Sequence, residues 1–362
     1  MSKFCPLPWV GLHVSPSGNY TPCCKYIIPI AKDVESYLAS EHLATLKDEF
    51  KRGELPIGCK PCWNEEAAGV LSKRKHDIDY ALNGDIENLD EYKILSLTFG
   101  NICNLSCRTC GSHSSSQWIR DEKKLNKKII FGSTRSYKDP SFFSNIKAIT
   151  KNLTYLTFSG GEVFYSGFHQ HLDYLDFLIE NSSQNITLDY ITNGTIFPAK
   201  ELWERWKKFK KVGIQISIDG TKERFEYLRY PANWDQCYQN IKQYQQMGDV
   251  ISISISHTVS FFNVYYLDEF YLWCLQEKLP VPLFNMVHYP EEFSIKYIPK
   301  DIKNKIHNKL SKFKIFQPVI EFMQHSGELS LDTILQKIDE VDAIRNQSFS
   351  RTFPEFSNLI TV

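Results

Sequence analysis

Six strand-like runs recur through the middle of the chain, most of them separated by a helix-like stretch. This alternation limits the possible folds more than any other feature. The runs are Tyr92–Phe99, Leu153–Phe158, Ile186–Thr192, Val212–Ile218, Val250–Val259 and Val281–His288. Helix-like stretches Phe168–Glu180, Lys200–Lys210, Asp235–Met247 and Val264–Glu277 lie between them. Strands that alternate with helices predict parallel βα units. Six such units predict an α/β chain built on a partial (β/α)6 barrel.

The side-chain pattern fixes the two faces of the sheet. In the fourth run Val212, Ile214, Ile216 and Ile218 share one face, and Gly213, Gln215, Ser217 and Asp219 share the other. In the fifth, Ile251, Ile253 and Ile255 alternate with Ser252, Ser254, Ser256 and Thr258. A period of two sends each set to its own side. The apolar faces are expected to pack on the helices, and the polar faces to line a lumen that holds water or ligand. By the same parity His257 is a structural residue facing the helices, and Asp189 and Asp219 face the lumen.

Three regions emerge. Residues 1–90 form a small cysteine-rich metal-binding module, with Ser36–Lys51 as its clearest helix. Residues 91–290 form the barrel. Residues 291–362 read as a helical cap, with Ile302–Phe313 and Leu331–Arg345 as its best stretches, and their role is not legible. The interval 119–150 is long and partly polar, and part of it reads as an insertion. The 42 basic residues cancel the 42 acidic ones, which argues against a nucleic-acid or membrane binder. The run Lys123–Lys128 is short and reads as a solvated helix face. The segment Met1–Pro6 lacks an apolar signal core and no stretch is apolar enough to span a bilayer, which predicts a cytoplasmic protein. Ten cysteines in such a chain point to metal or redox work rather than disulfides.

The chemistry concentrates at the C-terminal ends of the strand-like runs, where βα barrels build their ligand sites. After the first run comes Cys103-Asn104-Leu105-Ser106-Cys107-Arg108-Thr109-Cys110. Three thiolates on one short loop can hold an iron–sulfur cluster while leaving one iron without a protein ligand. After the second run comes Ser159-Gly160-Gly161-Glu162, after the third Thr192-Asn193-Gly194, and the fourth ends in Ser217-Ile218-Asp219-Gly220. Gly160 and Gly161 allow the backbone a close approach to a ligand. Glu162 offers a carboxylate to an ammonium group, and Asn193 and Ser217 can hydrogen-bond a carboxylate or a ribose.

The Cys-x3-Cys-x2-Cys loop, the Gly-Gly-Glu and the Ser-Ile-Asp-Gly together resemble the radical S-adenosylmethionine (SAM) enzymes, in the branch with SPASM or twitch auxiliary-cluster domains. The resemblance covers roughly residues 92–290. It implies that Cys103, Cys107 and Cys110 bind a [4Fe–4S] cluster whose fourth iron is chelated by SAM. It further implies that Gly160, Gly161 and Glu162 hold the SAM amino group, and that Ser217 and Arg229 contact its carboxylate or ribose. Reductive cleavage of SAM would give a 5′-deoxyadenosyl radical that takes a hydrogen atom from a substrate, most simply a peptide or protein side chain. A small molecule such as a sugar, nucleotide or amino-acid derivative is the alternative, and a non-catalytic iron–sulfur electron carrier a further one. A low-potential donor such as flavodoxin or ferredoxin would supply the electron. The family often has an aromatic residue before the third cysteine, where this chain has Thr109.

A second cysteine set lies nearer the N-terminus. Residues 5–23 read Cys-x12-Gly-x4-Cys, and Pro16-Ser17-Gly18-Asn19 is a turn signal that would fold Cys5 back toward Cys23. Cys59-Lys60-Pro61-Cys62 adds a Cys-x2-Cys pair, and four thiolates fit a complete tetrathiolate site. Part of this set resembles the twitch motif, which implies an auxiliary [4Fe–4S] cluster. Zinc is the alternative, and Cys24 competes with Cys23 as ligand. In that family the module follows the barrel, whereas here it precedes it. Cys237 and Cys274 read as core thiols. His288 and Tyr289 close the sixth run, where a substrate contact can form.

Overall fold

The alternating faces read from the sequence assemble into one eight-stranded sheet in the computed structural model. The structure describes residues 3–361 apart from 68, 70, 83–88, 90, 130, 131, 133–140, 148, 166, 167, 182, 249, 326 and 328. The strands are β1 (Gly11–Val14), β2 (Tyr20–Thr21), β3 (Ile94–Thr98), β4 (Tyr155–Ser159), β5 (Thr187–Thr192), β6 (Lys211–Ser217), β7 (Ser252–Val259) and β8 (Leu283–Met286). Their order in the sheet is β2-β1-β3-β4-β5-β6-β7-β8. Each of the six strand-like runs supplies one strand, and these six pair in parallel.

The sheet begins earlier in the chain than the sequence pattern suggests. β1 pairs in parallel with β3, and β2 folds back on β1 as an antiparallel edge. The cysteine-rich N-terminal residues are therefore not a detached module but share the sheet with the barrel strands. All six residues of β1 and β2 are buried, so neither strand shows an alternation of exposed and buried positions. The expected turn forms at Gly18, which adopts φ +72°, a conformation open to glycine at little cost.

The helical stretches follow the sequence closely. Phe168–Asn181, Lys200–Trp206, Trp234–Gln246 and Leu267–Gln276 connect successive strands on the outside of the sheet. The stretch expected at Ser36–Lys51 divides into Val34–Leu38 and Glu41–Lys51, because the Ser40 side chain caps the second helix at the Leu43 amide. Between sheet and helices Val212, Ile214, Ile216 and Ile218 are at most 1% exposed and pack with Leu188, Tyr190, Leu202 and Trp206. Burying such a side chain stabilises the fold by about 1.5–3 kcal/mol. Cys237 and Cys274 lie fully buried in this core, and His257 is buried against Phe270 at a ring distance of 4.4 Å.

Residues beyond β8 form a second apolar core. Helices Lys300–Leu310, Gln317–Gln324 and Leu331–Arg345 pack with Phe261, Phe262 and Tyr227 from loops and helices of the barrel. Part of the interval 119–150 lies outside the described residues. Its start is the helix Trp118–Lys124, and Lys123, Lys124, Lys127 and Lys128 are exposed, as expected of a solvated face. Among the described residues no helix is long and apolar enough to cross a membrane.

The face assignment is testable by paired truncations on one strand. Ile214→Ala should cost about 2–5 kcal/mol, whereas Gln215→Ala, on the lumen side, should cost under about 1 kcal/mol. Urea-unfolding midpoints compare the two. Similar losses would mean that the two faces of β6 are exchanged.

Candidate functional site

Three strand tips converge on the loop that carries Cys103, Cys107 and Cys110, and backbone hydrogen bonds hold them there. The Gly161 amide donates to Gly100 O and the Glu162 amide to Ile102 O, both at 2.9 Å. A Cβ on Gly160 would lie 2.7 Å from Phe99 N, and one on Gly161 would lie 2.2 Å from Ile102 O. The space these glycines leave is filled by the backbone of the cysteine loop, not by an open ligand pocket. Side-chain-free residues are required here because the β4 tip lies flat against the β3 tip.

Glu162 is 1% exposed and faces inward. Its Oε1 accepts from Thr192 Oγ1 at 2.7 Å and from the Phe164 amide at 3.2 Å, and its Oε2 accepts from the Asn193 amide at 2.7 Å. Burial pushes its carboxyl upward, against the pull of these hydrogen bonds and of Arg229. A carboxylate has about four acceptor positions, so Oε2 keeps one for a further donor. Asn193 reaches on, with Nδ2 2.9 Å from Asn104 Oδ1 and 3.8 Å from Cys103 Sγ. Thr192 pairs with Ile216, so Asn193 and Ser217 follow side by side at neighbouring strand tips.

Arg229 approaches the loop from the other side. Its Nη2 lies 2.8 Å from Asp219 Oδ2, its Nη1 lies 4.0 Å from Cys107 Sγ, and its buried Nε has no hydrogen-bond partner. Burial opposes its charge, but Asp219 and the thiols of Cys107 and Cys110 outweigh that and raise its pKa. A hydrogen bond to Cys110 holds the Cys107 thiol below its usual range despite burial, and Arg229 adds to the effect. Burial and the neighbouring Cys107 push Cys103 up to about 12. Cys103 and Cys107 are buried and Cys110 half-buried, beside a cation, an orphaned N–H and a carboxylate with spare acceptor capacity. Three thiols in such a setting suit an iron–sulfur cluster with one iron lacking a protein ligand.

Two anchors of this loop were not visible in the sequence. The Ser106 and Arg108 amides donate to Tyr230 O and Leu228 O at 2.6 and 2.7 Å, and Trp118 Nε1 donates to Cys107 O at 2.8 Å. The fully buried Arg108 side chain ion-pairs with Asp342, donates to Gln347 Oε1 at 2.9 Å and stacks 4.1 Å from the Tyr227 ring centre. Arg345 pairs with Asp121 at 2.8 Å, and Asp121 also accepts from Ser106 Oγ at 3.1 Å. The C-terminal helix Leu331–Arg345 therefore clamps the cysteine loop through two buried ion pairs. The partners lie more than 200 residues apart in sequence, so no local pattern could have paired them.

The second cysteine set also comes together. Cys5 and Cys62 are buried, and Cys23 and Cys59 are half-buried. Cys5, Cys23, Cys59 and Cys62 lie within electrostatic range of one another, and burial raises the pKa of each. Backbone N–H groups of Leu7, Lys25 and Arg74 point at Cys5, Cys23 and Cys62 respectively. Cys24 turns out to the surface and lines the barrel lumen instead. Arg74 braces the site by a double hydrogen bond to Glu66 and a 2.7 Å bond to Phe4 O. Among the described residues no three Cys, His, Asp or Glu side chains close around a single metal ion.

The lumen encloses a cavity of about 430 Å³. Its polar wall includes Ser96, Thr157, Asp189, Gln215 and Asn285, and its apolar wall includes Met286, Ile315, Val319 and Phe322. His288 lines it as well, whereas Tyr289 is largely exposed and packs on His113. Asp219 does not line this lumen cavity; it binds Arg229 and the Thr258 amide.

Residues 97–264 match the family model described as the radical SAM superfamily. No curated protein sequence matches the chain. Among solved structures it is similar to native anSMEcpe with bound AdoMet and Cp18Cys peptide, at 18% identity and TM-score 0.45, over 64% of this chain and 61% of that one. It is also similar to Streptococcus suis SuiB bound to S-adenosylmethionine, at 11% identity and TM-score 0.40, over 84% and 67% of the two chains. TYW1 with a lysine-pyruvate adduct follows at 14% identity and TM-score 0.34, over 59% and 72%. The chain spans less than two thirds of the length of anSMEcpe.

Two measurements probe the cysteine loop. Removing Asp342 leaves Arg108 buried without its counter-ion, so Asp342→Ala should cost about 3–5 kcal/mol in denaturant unfolding, and the isolated protein should retain less iron. Full iron retention would separate the clamp from the loop. The raised Cys103 pKa also sets a pH dependence. The folded, metal-free chain keeps this thiol protonated to about 12, whereas the unfolded chain releases the proton near about 8.5. Stability from this group is therefore intact below about 8.5 and falls as pH rises above it. Melting curves of the metal-free protein should show this decline, weakened in Cys103→Ala.

Proposed function

We propose that the chain is a radical SAM enzyme that acts on a peptide or protein side chain. The observation that carries this reading is the placement of Cys103, Cys107 and Cys110 beside Glu162, Asn193 and Arg229, within the stretch that matches the radical SAM family model. Cys103, Cys107 and Cys110 would hold a [4Fe–4S] cluster, which with SAM and one electron supplies a 5′-deoxyadenosyl radical that takes a hydrogen atom from the substrate. Glu162, through the open acceptor position on Oε2, would receive the SAM ammonium group. Asn193 and Ser217 would bind its carboxylate or ribose, and Gly160 and Gly161 would set the height of Glu162 above the loop. Arg229 would balance the negative charge of the thiolates and, through Nε, offer a further donor. The apolar layers around the loop exclude water from this chemistry. A flavodoxin- or ferredoxin-like donor would deliver the electron.

Cys5, Cys23, Cys59 and Cys62 would bind an auxiliary [4Fe–4S] cluster. Backbone N–H groups directed at three of the four sulfurs support thiolate ligation, because such bonds stabilise the charged form and tune a cluster's potential. Zinc at these cysteines is distinguished by measuring iron and sulfide. Cys24, Lys25 and Lys73 connect this site to the lumen, so an auxiliary cluster would stand beside the substrate even though its ligands precede the barrel in sequence. The size of the lumen also admits a small molecule as the second reading, since ligand sites commonly measure about 300–1,000 Å³.

Anaerobic reconstitution followed by dithionite and SAM tests the proposal. Wild type should release 5′-deoxyadenosine and methionine, and Cys107→Ala should release neither. Glu162→Gln should keep the brown chromophore and bind SAM at least about tenfold more weakly, a loss of about 1.4 kcal/mol. SAM binding without cleavage in wild type and Cys107→Ala alike would favour an electron carrier.

A further inference from the structure

Building on the radical SAM reading, we propose that the lumen selects a substrate group bearing an amine or guanidinium on an apolar stem, with Asp189 as the residue that binds the cation. The charges around the cavity lead to this assignment. Lys25 is paired with Glu65 at 2.7 Å, and His288 lies 3.8 Å from the same carboxylate. Lys73 is paired with Asp77 at 2.6 Å, and His76 lies 3.1 Å from Asp77 Oδ1. Among the described residues lining the cavity, Asp189 is the carboxylate that no cation contacts. Tyr155 hydrogen-bonds to it, and Lys73, His76 and Lys211 act on it only through space.

The backbone is built to place this carboxylate in the lumen. Asp189 stands opposite Gly213 in the β5–β6 register. A Cβ on Gly213 would meet Asp189 Oδ1 at 2.6 Å. The missing side chain on β6 is thus the room that the carboxylate occupies. On its own strand Asp189 is flanked by Leu188 and Tyr190, both fully buried on the opposite face, so β5 cannot rotate to take the charge into water. An unpaired carboxylate in such a place costs free energy that a cationic ligand returns.

The rest of the cavity fits the stem. Met286, Phe322, Val319 and Ile315 form an apolar wall facing the polar strands. Asn193 follows Asp189 by four residues, so the cation site lies about 13 Å below the proposed SAM site along β5. A group anchored at Asp189 would run up the lumen with its stem against the apolar wall and its far end toward the radical source. A free carboxylate or phosphate on the substrate would instead meet Asp189 at the base of the cavity and be repelled.

The test uses the full chain without SAM or reductant. Isothermal titration compares Nα-acetyl-lysine N-methylamide with Nα-acetyl-norleucine N-methylamide, which has the same stem without the amine. Wild type should bind the lysine probe at least about tenfold more tightly. Asp189→Asn should abolish that preference, with circular dichroism confirming the fold. Gly213→Ala, which keeps the charge but takes its space, should reduce the preference too and stands in if Asp189→Asn fails to fold. Equal binding of the two probes to wild type, no binding of either, or a lysine preference that survives both substitutions would overturn the assignment. SAM cleavage by wild type is measured separately. Lost preference beside intact cleavage removes the cation site alone, and absent cleavage beside intact preference removes the radical reading alone.

Discussion

One buried carboxylate ties together the parts on which the site depends. Glu162 accepts from Thr192, from the Asn193 amide and from the Phe164 amide, and its own amide donates into the cysteine loop. The tips of β3, β4 and β5 are therefore tied to one another by hydrogen bonds. A low-dielectric setting makes each of these bonds strong and makes any unmade one costly. The loop inherits that rigidity through the carbonyls of Gly100 and Ile102, which accept from the Gly161 and Glu162 amides. A site prepared in this way spends little binding energy on ordering its ligands.

The C-terminal helices complete what the barrel leaves open. An eight-stranded sheet that does not close exposes one side of its lumen, and residues beyond β8 cover it. Ile315, Val319 and Phe322 become cavity wall, while Asp342 and Arg345 reach the cysteine loop from behind. Two buried ion pairs are an expensive way to join surfaces that hydrophobic contacts already hold. Their value here lies in direction, because a planar guanidinium fixes the orientation of the loop that carries it. The same segment therefore shapes the substrate space and sets the cofactor loop.

How much of this the sequence disclosed follows from the range of each interaction. The six long strands and the outer helices were legible, since periodicity is a local signal. Leu331–Arg345 begins and ends where the pattern places it. The core position of His257 follows from strand parity, and those of Cys237 and Cys274 from the apolar helical stretches that hold them. β1 and β2 were hidden because all their residues are buried, so no alternation of exposed and buried positions marks them. Gly160 and Gly161 suggest ligand contact in the sequence, and the structure adds that the backbone of Phe99–Ile102 lies against them. The ion pair of Arg229 with Asp219 was not legible in the sequence. Charged residues give no hint in sequence of which distant partner will bury them, and for the same reason Arg108, Asp121, Asp342 and Arg345 went unnoticed. A basic residue between two of three clustered cysteines was the one available clue to Arg108.

The central claim is that the three-cysteine loop holds a cluster with one iron left for SAM. Mössbauer spectroscopy of protein reconstituted with iron-57 tests it most directly, recorded before and after SAM is added. The account predicts that one iron of the cluster at Cys103, Cys107 and Cys110 changes its isomer shift when SAM binds, while iron held by Cys5, Cys23, Cys59 and Cys62 does not. Spectra that superimpose with and without SAM would contradict it.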